Sequence, residues 1–327
     1  MKKSVGKFFL KCILAIVPLV VLCLYTALFP FGYMDEEYPS WKYQKDMAMT
    51  GPAYDTLILG DSTAKAGLIP NNLSSNVINL SMGGATPIEI YYTLERYLAS
   101  HEAPENALIM FTPYHYSFLD NFWQRTMYFN YFDSRETLEV FRNAHAVSET
   151  AVLTDGYFID LMSYRLRLPN KYLPAMYNSG LIGRRTTNEA IYNEIASNRG
   201  QYYFGTADGC SDHNYESNYT ALNLSPIVDL YMRKLLDLCV ENNIHVVLEQ
   251  APMNTASYSL LNENYVTEYT AYMELLQQDY PEIMIDTIIA HYEDAYFGDA
   301  SHLNEKGAVR FTEEILTEYP ELFTPQN

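Results

Sequence analysis

A chain of 327 residues that is 48% hydrophobic can bury a substantial core, which excludes a disordered protein and suits one large domain or one domain carrying an insertion. Its formal charge of −19, from 21 basic and 40 acidic residues, excludes a nucleic-acid binder, because phosphate recognition needs a basic face. The same charge disfavours steering toward anionic polymers at low salt.

The first signal along the chain is an uncharged run at residues 12–31, preceded by Lys2, Lys3, Lys7 and Lys11 and followed by Asp35, Glu36 and Glu37. A run of roughly 20 apolar residues crosses a bilayer as one helix, and Pro18 kinks such a helix without vetoing it. Lysines on one flank and acids on the other predict a cytoplasmic N-terminus and an extracytoplasmic remainder. A cleaved signal peptide is the alternative. The run is longer than a typical signal core and no small-x-small site stands before Tyr33, so residues 1–33 read as a retained single-pass anchor in the cell membrane. Residues 34–52, polar and aromatic by turns, read as a stalk, and residues 53–327 as the extracytoplasmic domain.

Short apolar runs predict strands at residues 54–59, 76–82, 107–111, 245–248 and 283–288. Helical periodicity predicts helices over 87–101, from Ser225 to the stop at Asn242-Asn243, over 262–280, and from Asn304 onward, where Ala308, Phe311, Ile315 and Tyr319 share a face. Strands alternating with helices predict an α/β fold, a doubly wound three-layer sheet of about five parallel strands joined by right-handed crossovers. Residues 114–224 break the repeat. They are rich in tyrosine, among them Tyr128, Tyr131, Tyr157, Tyr164, Tyr172 and Tyr203, and read as an insertion packed over or beside the rim. Such rings stack on pyranose faces, although ordinary packing at a wet surface is the commoner use.

Gly60-Asp61-Ser62 lies where the first strand stops, at the carboxyl end, where open α/β sheets bind ligands. A serine needs a base to take its proton and a third group to hold that base, and Asp299-Ala300-Ser301-His302 supplies both within one turn. Gly84 after the second strand joins them, so the suspects share one rim. Each motif alone is a common turn or helix-start pattern; their joint placement is what points to acyl transfer. Cys12 and Cys23 fall in the apolar run, and whether Cys210 and Cys239 pair is left open. No Cys or His pair stands at metal-ligand spacing, so neither a metal nor a cofactor is expected.

These residues resemble the SGNH (GDSL-type) hydrolases. Leu59-Gly60-Asp61-Ser62 is similar to the family's first block and Asp299-Ala300-Ser301-His302-Leu303-Asn304 to its last, while Asn79 through Gly84 to Thr86 is similar to the second. The resemblance implies a flavodoxin-like sheet, Ser62 as nucleophile, His302 as base, Asp299 as its orienter, and the N–H groups of Ser62 and Gly84 in the oxyanion hole. The third block departs from the family: Thr112-Pro113-Tyr114-His115 stands where Gly-x-Asn-Asp is usual, which leaves Tyr114 or His115 as alternative donors. Membrane-anchored members that O-acylate surface polymers, the alginate-acetylation and DltD-like proteins, resemble the chain better than soluble esterases do. They imply a glycan acceptor and a membrane-embedded acyltransferase partner. The rival expectation is a non-catalytic glycan-binding or assembly subunit on a degenerate fold of the same kind.

Overall fold

The computed structural model describes residues 2–119 and 121–324. Five strands, β1 (Thr56–Gly60), β2 (Val77–Asn79), β3 (Asn106–Met110), β4 (His245–Glu249) and β5 (Met284–Ile285), form one parallel sheet in the order β2-β1-β3-β4-β5. Alternation along the strands sorts their side chains to two faces. Leu57, Leu59, Ala107, Ile109, Val246 and Leu248 point into one core, and Ile58, Leu108, Met110 and Val247 into another. A sheet buried on both faces needs helices on both, and the apolar character of the strands follows from that.

The first helix, α1 (Lys2–Leu28), contains the stretch Val5–Leu28, long and apolar enough to cross a membrane; a signal sequence passes the same test of length and composition. Next comes α2 (Tyr38–Thr50), with Pro39 in its first turn. Here the structure departs from the stalk expected at residues 34–52. Trp41 is 1% exposed and meets Phe129 and Tyr131 edge-on, at centroid distances of 5.7 and 5.2 Å. Gln44 donates to the Ser81 carbonyl at 2.8 Å, so the segment belongs to the larger core.

The short helix α3 (Ser62–Gly67) follows β1, and α4 (Pro87–Ser100) joins β2 to β3 behind a Thr86–Glu89 capping box. The expected insertion contains α5 (Ser134–Val147), α6 (Tyr157–Arg165), α7 (Pro169–Asn178) and α8 (Arg185–Ser197). It is fastened to the sheet layer by the buried Arg96–Glu136 ion pair and by Arg96 Nη2 donating to the Tyr131 carbonyl at 2.8 Å. The helices α9 (Pro226–Glu241), α10 (Glu263–Asp279) and α11 (Glu305–Glu318) start at the expected caps Ser225, Asn262 and Asn304. Cys239 is buried in one core and Cys210 packs against the other, and both are free thiols.

Because α2 is a core element, a chain beginning at residue 53 is expected to be insoluble or molten. Trp41→Ala in the full chain is expected to cost about 3–5 kcal/mol. Urea unfolding in detergent checks both; a soluble, cooperatively unfolding chain from residue 53 would restore the stalk.

Candidate active site

The site grows from the carboxyl ends of β1 and β3. A side chain at Gly60 would run into the Met110 carbonyl, so only glycine allows the two strands to lie this close where the chain leaves the sheet. Asp61 then caps α3, accepting from the Thr63 N–H at 2.8 Å and the Thr63 hydroxyl at 2.6 Å. Its second oxygen accepts from the Thr112 N–H at 2.8 Å, the Thr112 hydroxyl at 3.0 Å and His115 Nδ1 at 2.7 Å. Burial alone pushes this carboxyl up, but the charge and hydrogen bond of His115, with those of Thr63 and Thr112, more than offset it and hold it down at about 2. Ser62, the first residue of α3, is fixed by this knot.

On the opposite wall His302 Nδ1 bonds to Asp299 at 2.8 Å, and the same carboxylate accepts the Ser301 and His302 N–H groups at 2.8 Å each. Desolvation raises the Asp299 carboxyl, and the His302 and backbone bonds reverse this to a net lowering, so it stays ionised at neutral pH. His302 Nε2 is buried and has no hydrogen-bond partner among the described residues. The Phe204 ring lies 4.9 Å from the imidazole, and the backbone at Gly205 packs so tightly on Gly298 that neither position has room for a Cβ. The insertion therefore clamps the Asp299–His302 turn.

Gly84 sits in a left-handed conformation, φ +70°, and a methyl there would collide with the Asn121 amide and the Arg125 guanidinium. Both belong to a segment containing the π-helical turn Phe122–Met127. A buried carboxylate holds this turn: Glu89 Oε1 accepts from the Thr126 hydroxyl at 2.7 Å, and Glu89 Oε2 closes the α4 capping box. Arg125 Nη2 also reaches Glu37 Oε1 at 3.1 Å, and Glu37 Oε2, beside Gly83, is buried without a partner among the described residues.

Ser62, Gly84, Asn121, Arg125, Glu216 and His302 line one cavity of about 190 Å³. It thus contains Ser62, His302, Gly84, Tyr114 and His115 from the sequence reading, with Asp299 behind His302. The two alternative oxyanion donors, Tyr114 and His115, line the same cavity. The Tyr114 N–H donates to Glu216 Oε1 at 2.6 Å and its ring stacks on Phe118 at 4.8 Å, while His115 directs Nδ1 to Asp61. Burial pushes Glu216 up to about 7, opposed in part by the Tyr114 N–H and His115. Asn121, Arg125 and Glu216 were not anticipated. Asn121 lies six residues beyond His115, and only the folded chain brings it against Gly84. Among the described residues no three His, Cys, Asp or Glu side chains gather as metal ligands do.

No protein-family model matches this chain. No curated protein matches it either.

Asp61→Asn is expected to lower stability by about 2 kcal/mol at pH 7, since it weakens a fully buried ionic cluster. The sign follows from the depressed carboxyl: its contribution is complete above the unfolded range, about 3.9, and is lost as pH falls through about 2. Urea unfolding of both proteins at pH 7 and toward pH 2 should show the difference shrinking; a difference independent of pH would contradict the assignment.

Proposed function

We propose that this chain is a serine-dependent acyl-ester hydrolase or O-acyltransferase of the SGNH (GDSL-type) kind. It is held at the cell membrane and acts on a cell-surface or exopolysaccharide glycan through an acyl-serine intermediate. The observation that carries the reading is the meeting of Ser62, Gly84, Asn121 and an Asp299-held His302 on one cavity at the strand ends. The strand order, 2-1-3-4-5 in sequence terms, supports a flavodoxin-like layout, in which ligands bind outside the carboxyl ends of the strands.

In this mechanism Ser62 Oγ attacks the ester carbonyl carbon and its proton passes to His302 Nε2. Asp299 keeps the other ring proton on Nδ1 and stabilises the imidazolium. The N–H groups of Ser62 and Gly84 and the Asn121 amide hydrogen-bond the oxyanion as it forms. Collapse breaks the bond to the alkoxy leaving group, which takes the proton from His302, and leaves an acyl-serine. Water or a sugar hydroxyl then attacks that ester, giving up its proton to His302, and collapse breaks the acyl–Ser62 Oγ bond as His302 returns that proton to Ser62, so hydrolysis and transfer differ only in the acceptor. A membrane-embedded partner would supply the acyl group in the transfer version.

A glycan-binding subunit without catalysis is the second reading. It is favoured by the stack of Tyr114, Phe118 and Tyr219 beside the exposed Tyr215 on the cavity wall.

Intact mass after treatment with a fluorophosphonate is expected to show one adduct on the wild type and none on Ser62→Ala. Asn121→Ala is expected to keep the adduct while slowing turnover of an activated acetyl ester on the order of 100-fold. Folded wild-type protein that forms no adduct, and whose glycan binding is unchanged by Ser62→Ala, would favour the binding subunit.

A further inference from the structure

We propose that the α6–α7 part of the insertion is a second membrane-contacting element, lying in the anionic lipid interface beside the outer end of a retained α1. Its surface is inverted for a water-soluble domain. Ile159, Met162 and Leu166 recur at i, i+3 and i+7, one helical stripe, yet Ile159 is 70% exposed and Leu166 55%. Leu173 on α7 and Leu181 and Ile182 just after it are between 48 and 64% exposed. Large apolar side chains gathered in this way mark a surface that something apolar covers.

The geometry identifies what covers it. The Thr26 hydroxyl, which shares its proton with the Cys23 carbonyl at 2.7 Å, reaches the Arg167 carbonyl just after α6 at 2.9 Å, and the Tyr25 hydroxyl donates to the Leu181 carbonyl just after α7 at 2.6 Å. Both donors lie within the uncharged run at 12–31, whose length matches a bilayer core, roughly 20 residues. The two chain segments are therefore pinned at the height where that run leaves the hydrocarbon. Thr26 is fully buried and its carbonyl accepts from the Tyr33 hydroxyl at 2.6 Å, so cleavage of α1 as a signal sequence in this stretch would dismantle part of the domain.

Charge points the same way. Between residues 157 and 185 the chain carries Arg165, Arg167, Lys171, Arg184 and Arg185 against the single acid Asp160, within a protein of net charge −19; Lys171 pairs with Asp160, and Arg184 and Arg185 pair with Glu36 and Glu189 at the edge of the segment. Exposed apolar groups interleaved with basic ones match an interface of acyl chains and anionic headgroups. The inference does not rest on the catalytic reading.

The test uses the full chain in bilayers of phosphatidylcholine with phosphatidylglycerol. The four native cysteines are replaced, and a nitrobenzoxadiazole probe is placed on Leu166→Cys, Ile182→Cys or, as a control on α10, Leu275→Cys. All three sites are exposed side chains, so the probe itself does not disturb a core, and circular dichroism confirms that each labelled protein is folded. Doxyl-lipid is expected to quench the probes at 166 and 182 while iodide does not, with the reverse at 275. Iodide quenching at 166 and 182 equal to that at 275 would overturn the inference. Protection from both quenchers would also overturn it, in favour of a protein partner or second copy on this face.

Discussion

The buried Asp61 carboxylate is the constraint on which the remaining site geometry depends. It lies where β1 and β3 end and is fully out of solvent, so each of its lone pairs must be met by a donor. Thr63 meets one oxygen and Thr112 and His115 the other. These bonds set the direction in which the chain leaves both strands. Ser62 follows directly on a carboxylate that has five hydrogen bonds, and this rigidity is what the proposed nucleophile would require.

The second wall depends on chain far from any recognisable motif. Asn121 and Arg125 reach Gly84 because Thr126 is tied to Glu89, which is in turn tied into the α4 cap. Phe204 and Gly205 hold the His302 turn from the opposite side. The insertion is thus a structural half of the cavity, and the tyrosines that fill it are largely packing: Tyr128 and Tyr172 stack at 5.1 Å, and Tyr131 lies beneath the Arg96 guanidinium at 4.4 Å.

What could be read from the sequence is what local chemistry determines. Strands buried on both faces appear as continuous apolar runs, and Ser225, Asn262 and Asn304 announce helix starts because their side chains accept from N–H groups a few residues on. The Asp299–His302 pair was legible because both partners lie in one turn. The α2 helix was not, since its core face is built from Tyr38, Trp41, Tyr43 and Gln44, amphipathic or polar side chains that give no apolar stripe. Asn121 was illegible for another reason: a 3-10 turn at Pro113–Tyr116 and the π-helical turn at Phe122–Met127 set its approach to Gly84, and neither has a sequence period.

These features meet at Glu37, which joins the apolar-helix end of the molecule to its cavity. It lies three residues beyond Met34, whose carbonyl accepts from the Asn188 amide, and Asn188 also bonds Phe31. One Glu37 oxygen holds Arg125 over Gly84, and the other is buried against Gly83 with burial raising its pKa. Fully buried Lys65, lowered to about 7 by burial and pulled back in part by Glu37, lies on the other side of this junction and donates to the Gly200 carbonyl at 2.6 Å. A carboxylate that could have remained in water as part of a stalk is instead desolvated between two loops that line the cavity. Because α2 follows directly from the turn that receives α1, the position of the second wall is set by the same residues that attach the domain to its apolar helix.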